Sequence, residues 1–194
     1  MIVPLGPEHV DAVTRLHAAG LRGLLSELGV AATRAYYTGC VRTRTAVGFV
    51  ALEDGAVCGF VMGSTEPKRL KREVLSRNAA ATVAAIALGI MQRPAALVSL
   101  LRSFRGPDEG AYDGQTAELI YLAVDVQRRA SGVGKSLVQA FTRAMTESGV
   151  SSFELSVHED NQAAIGFYEA QGFRVIGRYR EFGALYRRYK LEWT

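Results

Sequence analysis

The apolar run Leu119-Ile120-Tyr121-Leu122-Ala123-Val124 is followed closely by Gly132-Val133-Gly134 and then by Lys135-Ser136-Leu137. The branched and aromatic residues belong to a strand over 116–124. The glycines read as a tight turn that opens a long helix from Gly132 to about residue 147. A strand that feeds a helix so directly commits the chain to an α/β arrangement. The junction is also suited to an anion. N–H groups in the first turn of a helix lack partners within it and carry partial positive charge, so a diphosphate can occupy that end. Side chains at 132 and 134 would stand between those amides and the phosphate oxygens, and Arg128, Arg129 and Lys135 can add charge at the rim.

Spacing removes two competing ligands. A triphosphate loop ending in Gly134-Lys135-Ser136 needs glycine at position 129, where Arg129 stands. A dinucleotide fingerprint opening at Gly132 needs a small residue at 137, where Leu137 would block close helix-to-strand packing. An ordinary strand-to-helix turn, with glycines for tightness alone, is the structural alternative.

The 194 residues fit one domain. A first strand over 2–5 leads into a helix opened by Pro7-Glu8, with Val10, Val13, Leu16 and His17 at helical spacing, and a second helix covers 31–41. Asp54-Gly55 joins two alternating strands as a hairpin. Beyond Pro67 about forty residues read as helical, broken at Arg93-Pro94, and give way to a polar, glycine-rich loop over 105–115. A strand over 153–157, a helix over 161–171 ended by Gly172, and a closing hairpin complete the chain. The apolar stretch over 79–91 is shorter than the roughly twenty residues needed to span a bilayer. The N-terminus lacks the basic start and apolar run of a signal peptide, which argues for the cytoplasm.

The net charge of +4 is local: residues 66–106 carry eight cations against Glu66 and Glu73, 8 − 2 = +6, leaving 4 − 6 = −2 elsewhere. A nucleic-acid binder would carry its basic face on the body of the domain among stacking aromatics, so nucleic acid is not an expected partner. His9, His17, His158, Cys40 and Cys58 show no metal-ligand spacing, and both cysteines read as reduced packing residues.

The pattern Arg129-x-x-Gly132-x-Gly134 resembles the coenzyme A signature of the GCN5-related N-acetyltransferases, the GNAT superfamily. A second segment, Asn161-Gln162-Ala163-Ala164-Ile165-Gly166-Phe167-Tyr168-Glu169-Ala170-Gln171-Gly172-Phe173, resembles the family's segment after the fifth strand. The resemblance covers the chain apart from about 66–115. It implies a single GNAT domain, a central mixed sheet flanked by helices, with a helical insertion and loop between the third and fourth strands. It implies acetyl-CoA as co-substrate, an amine acceptor, and no metal. Arg129, Ala130, Ser131, Gly132, Val133, Gly134, Lys135 and Ser136 would hold the diphosphate. The backbone of Leu122, Ala123 and Val124 would pair with the pantetheine arm, and an amide near Val124 would polarise the thioester carbonyl. Asn161 would contact the cofactor, although Asp160 or Asn161 is also a natural helix cap.

For the chemistry, the resemblance makes Tyr168 the proton donor to the departing thiolate, with an amphipathic core tyrosine as the bland alternative. Glu118 matches the strand glutamate of histone-type members and is the first choice of general base; an outward-facing strand carboxylate is its alternative. Ribosomal-protein acetyltransferases place a glutamate on the fifth strand where this chain has Ser156, which counts against a peptide N-terminus as acceptor. Strand alternation sends Glu154, Ser156 and His158 to one face, and His158 is the fallback base. The expected activity is acetyl transfer to a primary amine of a small molecule by direct attack in a ternary complex. A non-catalytic acyl-CoA sensor or assembly subunit, or a protein N-acetyltransferase, is the alternative. For the insertion the sequence leaves open a solvated basic face, a lid, a subunit contact that would make a homodimer, and, least supported, a membrane contact.

Overall fold

The strand that opens the glycine unit lies near the middle of a seven-stranded sheet. The computed structural model describes residues 1–77, 79–103, 116–181 and 183–193, and the loop expected over 105–115 lies outside them. The strands are Ile2–Pro4 (β1), Ala46–Glu53 (β2), Ala56–Ser64 (β3), Glu118–Val124 (β4), Ser152–His158 (β5), Arg174–Glu181 (β6) and Ala184–Glu192 (β7). Their order is β1-β2-β3-β4-β5-β7-β6, and every neighbouring pair is antiparallel except β4 with β5. Asp54 (φ 50°) and Gly55 (φ 79°) both adopt left-handed backbone, the combination that lets a two-residue turn follow the twist of the β2–β3 hairpin.

The helices are Val10–Gly20 (α1), Leu24–Leu28 (α2), Val30–Cys40 (α3), Pro67–Arg77 (α4), Ala79–Gln92 (α5), Ala95–Ser103 (α6), Val133–Glu147 (α7) and Gln162–Glu169 (α8). Residues 7–9 form a 3-10 turn ahead of α1 rather than its first turn. The five-residue α2 is an element that the sequence pattern does not announce, being too short to show an apolar period. Three helices stand between β3 and β4, the last two separated at Arg93-Pro94. Among the described residues no single helix is long and apolar enough to cross a membrane.

Alternation along the strands divides the core. Val61, Leu119, Phe153, Leu155 and Val157 pack against Leu137, Phe141 and Met145 of α7 and Ile165 and Tyr168 of α8. Val50, Phe60, Met62 and Ala123 face the other way, onto Val10 and Val13 of α1, Tyr37 and Cys40 of α3, and Leu70 and Val74 of α4. Cys40 and Cys58 are buried in different clusters.

Two irregularities in β4 shape the gap beside it. Its register against β3 passes from Gly63↔Leu119 to Met62↔Tyr121, so Ile120 is an extra residue, a β-bulge. Ile120 and Tyr121 consequently turn to the same face, while Leu119, Leu122 and Val124 turn to the other. Toward β5 the pairing consists of Glu118↔Glu154, supported by the Glu154 N–H donating to the Ala117 carbonyl at 2.9 Å. Beyond that point the two parallel strands no longer pair.

Candidate active site

The splay leaves β4 with backbone groups that face a gap. The Asp125 N–H donates to the Cys58 carbonyl at 2.8 Å, which assigns residues 125 and 123 to the β3 side. In an extended strand successive residues present their N–H and C=O to opposite sides. Leu122 and Val124 therefore direct theirs toward β5, past the end of the ladder, whereas Ala123 directs its own to β3.

Immediately after β4 the Asp125 carboxylate accepts from the Gln127 N–H at 2.9 Å and holds a 3-10 turn over Val126–Arg128. Ser131 Oγ then donates to the Arg128 carbonyl at 2.6 Å. Ala130 (φ 62°) and Gly132 (φ 84°) are both left-handed, a curl that costs about 1–2 kcal/mol for the alanine. Backbone concavities of this kind gather N–H groups toward an anion. Gly132 caps α7 without a side chain, and the first helical bond of α7 runs from the Ser136 N–H to the Gly132 carbonyl. The N–H groups of Val133, Gly134 and Lys135 thus precede the helical ladder.

The two glycines do different jobs. A Cβ at Gly132 would stand in open space, so the approach to these amides is clear. A Cβ at Gly134 would lie 3.2 Å from the Phe167 ring and 3.7 Å from Val124, so Gly134 lets α7 close onto α8 and the end of β4. Of the rim cations, Arg128 is paired with Glu53 at 2.8 Å, while Arg129 and Lys135 are exposed. Lys135 also borders a cleft of about 410 Å³ between α7, the residues that follow α8 and Leu191 of β7, with Gln139, Arg143 and Gln171 in its walls.

Asn161 is the N-cap of α8, its side chain accepting from the Ala164 N–H at 3.1 Å. Tyr168 is buried with its ring edge-on to Phe167 and Phe173, and burial raises its hydroxyl well above the ordinary tyrosine range. At neutral pH such a hydroxyl keeps its proton and can only donate it.

The opposite face of the splayed pair is polar. Arg188 of β7 is 4% exposed and donates to Glu118 at 2.5 Å, to Glu154 at 2.9 Å and to Ser156 Oγ at 2.9 Å. Glu154 and Ser156 share this face, as their alternation requires. The guanidinium therefore stands between the two glutamates of the paired position, β4 on one side and β5 on the other. The Tyr179 hydroxyl also bonds Ser156, and burial lifts it to about 12. Tyr179 stacks on Tyr186 (5.4 Å, 17°), whose ring is edge-on to His158 at 5.3 Å. Glu181, at the end of β6, has its carboxyl raised first by burial and then by Glu118, against a lowering by Lys71 of α4.

The structure thus brings Leu122, Val124, the 129–136 turn and α8 to one end of the β4–β5 gap and sets Glu118 on the other face of the sheet. Arg188, Tyr179, Glu181 and Tyr186 were not signalled by any motif. The adjacent Arg187-Arg188 in mid-strand carries a trace: alternation must turn one of two consecutive arginines onto a covered face, where it needs carboxylate partners.

Comparison with known proteins agrees with this arrangement. The model of the acetyltransferase (GNAT) family matches residues 14–173. An acetyltransferase of Pectobacterium atrosepticum is 31% identical over 67 residues, 34% of this chain and 48% of that protein, so the match spans about half of that relative. Among solved structures, the ribosomal-protein-S18-alanine N-acetyltransferase of Escherichia coli superposes with a TM-score of 0.61 at 14% identity, covering 99% of this chain and 92% of that one. NAA60 of Arabidopsis thaliana in complex with a bisubstrate analogue gives 0.59 at 16%, covering 99% and 97%. At these identities the likeness is one of fold.

Proposed function

The chain belongs to the GNAT acetyltransferase family, and on that premise we propose that it transfers an acetyl group from acetyl-CoA to a primary amine of a small molecule, by direct attack in a ternary complex. The observation that carries the reading is the splay of β4 from β5 beside an open helix start. Backbone groups of Leu122 and Val124 face the gap, and the amides ahead of the α7 ladder stand next to it with open space in front of Gly132.

Acetyl-CoA supplies the activated acyl carbon and a thiol leaving group. In this reading the amides of Val133, Gly134 and Lys135, with Arg129 and Lys135 at the rim, hold the diphosphate. Leu122 and Val124 pair with the amide-bearing arm as an added strand would, and the Val124 N–H polarises the thioester carbonyl. Tyr168 donates a proton to the leaving sulfur, a role for which its retained proton suits it. Asn161 acts through α8, whose first turn it caps.

A small acceptor is favoured over a polypeptide by what overhangs the polar face. Leu70 and Val74 of α4 pack onto β3 on that side of the sheet, and the charges of Lys71 on α4 and Glu27 on α2 act on Glu181 and Tyr186. The test is acetyl-CoA-dependent thiol release with amines, amino sugars, polyamines and peptides offered separately. Release dependent on one class of small amine is expected. Binding of acetyl-CoA with no acceptor-dependent release would make the chain an acyl-CoA sensor instead, and release with peptides alone would overturn the small-molecule reading.

A further inference from the structure

Glu118 is poorly placed to shuttle protons. One of its oxygens accepts from Arg188 at 2.5 Å, and that guanidinium also serves Glu154 and Ser156. The guanidinium cannot swing away without stranding two other half-buried partners, and a lone pair engaged by a guanidinium is a weak proton acceptor.

A second carboxylate stands on the same sheet face. Glu181 closes β6, two residues beyond Tyr179 and in register with Ala184 of β7. Period-two alternation places it with Tyr179 and Tyr186, which stack on each other, and Tyr179 in turn bonds Ser156 beside Arg188. Charge is felt across the row: Glu118 acts on Glu181, and both act on Tyr121 and Tyr179. Lys71 from α4 is the cation that acts on Glu181 from the helical side, and Glu27 from α2 reaches Tyr186. The face therefore presents two carboxylates among tyrosines, one locked by Arg188 and one held, among the described residues, by no comparable guanidinium fork.

We infer that Glu181, rather than Glu118, accepts the proton of the acceptor's ammonium, and that Glu118 and the tyrosines around it favour a cationic acceptor there. The inference rests on the acetyl-transfer reading. The ammonium gives a proton to the Glu181 carboxylate, which passes it to solvent. The freed lone pair forms the C–N bond as the C–S bond breaks; Tyr168 protonates the departing sulfur and is reprotonated by the proton left on the acylated nitrogen. The raised carboxyl of Glu181 supports the role, since an acceptor poised nearer neutral pH both takes and releases a proton readily. Aromatic side chains beside a carboxylate also suit a cation.

The experiment uses the full chain, acetyl-CoA and two nucleophiles of similar shape: benzylamine, a cation at neutral pH, and aniline, neutral there. E181Q is expected to lose about 100-fold or more in kcat/KM with benzylamine, to keep its rate with aniline within about threefold, and to recover toward alkaline pH as benzylamine deprotonates unaided. Glu181→Asp keeps a carboxylate and should retain the wild-type shape of the pH profile, which also covers the case in which the glutamine variant folds badly. Equal losses with both nucleophiles, or none with either, overturn the inference while leaving acetyl transfer standing. Wild-type protein that binds acetyl-CoA yet releases no thiol with either amine overturns the transfer reading and this inference with it.

Discussion

Replacing Arg188 by methionine should be the most damaging single change on the polar face, and the structure gives the reason a scale. The guanidinium is 4% exposed and makes hydrogen bonds to Glu118, Glu154 and Ser156. Methionine fills most of the same volume, so the loss is electrostatic rather than a cavity. It leaves two carboxylates, each less than a fifth exposed, facing one another across the one paired position of β4 and β5. Removing one partner of a buried ion pair costs about 3–5 kcal/mol, or roughly two to four powers of ten in the folding constant. With an m value of about 2 kcal/mol/M, the urea midpoint should fall by about 1.5–2.5 M. Trp193, edge-on to Phe153 at 5.6 Å, is the only tryptophan and reports unfolding by fluorescence. The companion variant R188M/E118L/E154L removes the stranded charges and should regain most of the loss, because a buried triad replaced by apolar residues is often neutral. A shift below about 0.5 M for R188M, or a companion no better than the single variant, would refute the claim that the arginine is there to neutralise that pair.

Gly132→Ala should destabilise the fold by about 1–2 kcal/mol through its left-handed backbone alone, since the new methyl meets nothing. The methyl would stand before the α7 amides, so titration calorimetry should show weaker acetyl-CoA binding, and an unchanged Kd would mean that nothing docks there. Tyr168→Phe should lower kcat with little change in acetyl-CoA affinity, and unchanged turnover in stopped-time thiol assays would remove it as proton donor. His17 is buried against Tyr37 (Nδ1 to hydroxyl 2.8 Å), and burial depresses it from 6.5 to about 4. A depressed histidine contributes stability that is present above pH 6.5 and lost as pH falls toward 4, here roughly 3 kcal/mol. Denaturant midpoints for wild type and His17→Leu should therefore differ in pH slope over that window, and parallel curves would refute the assignment.

The parts of the site that are contiguous in the chain are legible in the sequence alone. Strand, curl and helix start succeed one another from Leu119 to Leu137, and the α8 segment with its Asn161 cap and Tyr168 is equally local. Local chemistry of this sort is written at fixed offsets. The pairing that qualifies Glu118 is not, because Arg188 lies 70 residues away and reaches it through the order in which β5 and β7 are laid down. Nor does any residue pattern mark Glu181, which owes its environment to the hairpin register and to α4, which packs over that face of the sheet.

The bulge at Ile120 is the sharper case, because it decides which side of the sheet the carboxylate serves. Counting by two from Val124 puts Leu122, Ile120 and Glu118 on one face, the α7 face. One extra residue shifts the count: Leu119 packs with Leu122 and Val124, and Glu118 turns over to join Tyr121 on the other face. Every residue from Leu119 to Val124 is apolar and both faces are covered, so hydrophobic patterning cannot say where the extra residue falls. The consequence is mechanistic. The same bulge that aims the backbone of Leu122 and Val124 into the gap delivers Glu118 to the side of Arg188, Tyr179 and Glu181. On the proposed reading, acetyl-CoA reaches the splay from the α7 face and the amine from the polar face, and nitrogen and thioester meet between the strands, where the amine remains within reach of the polar face's carboxylate.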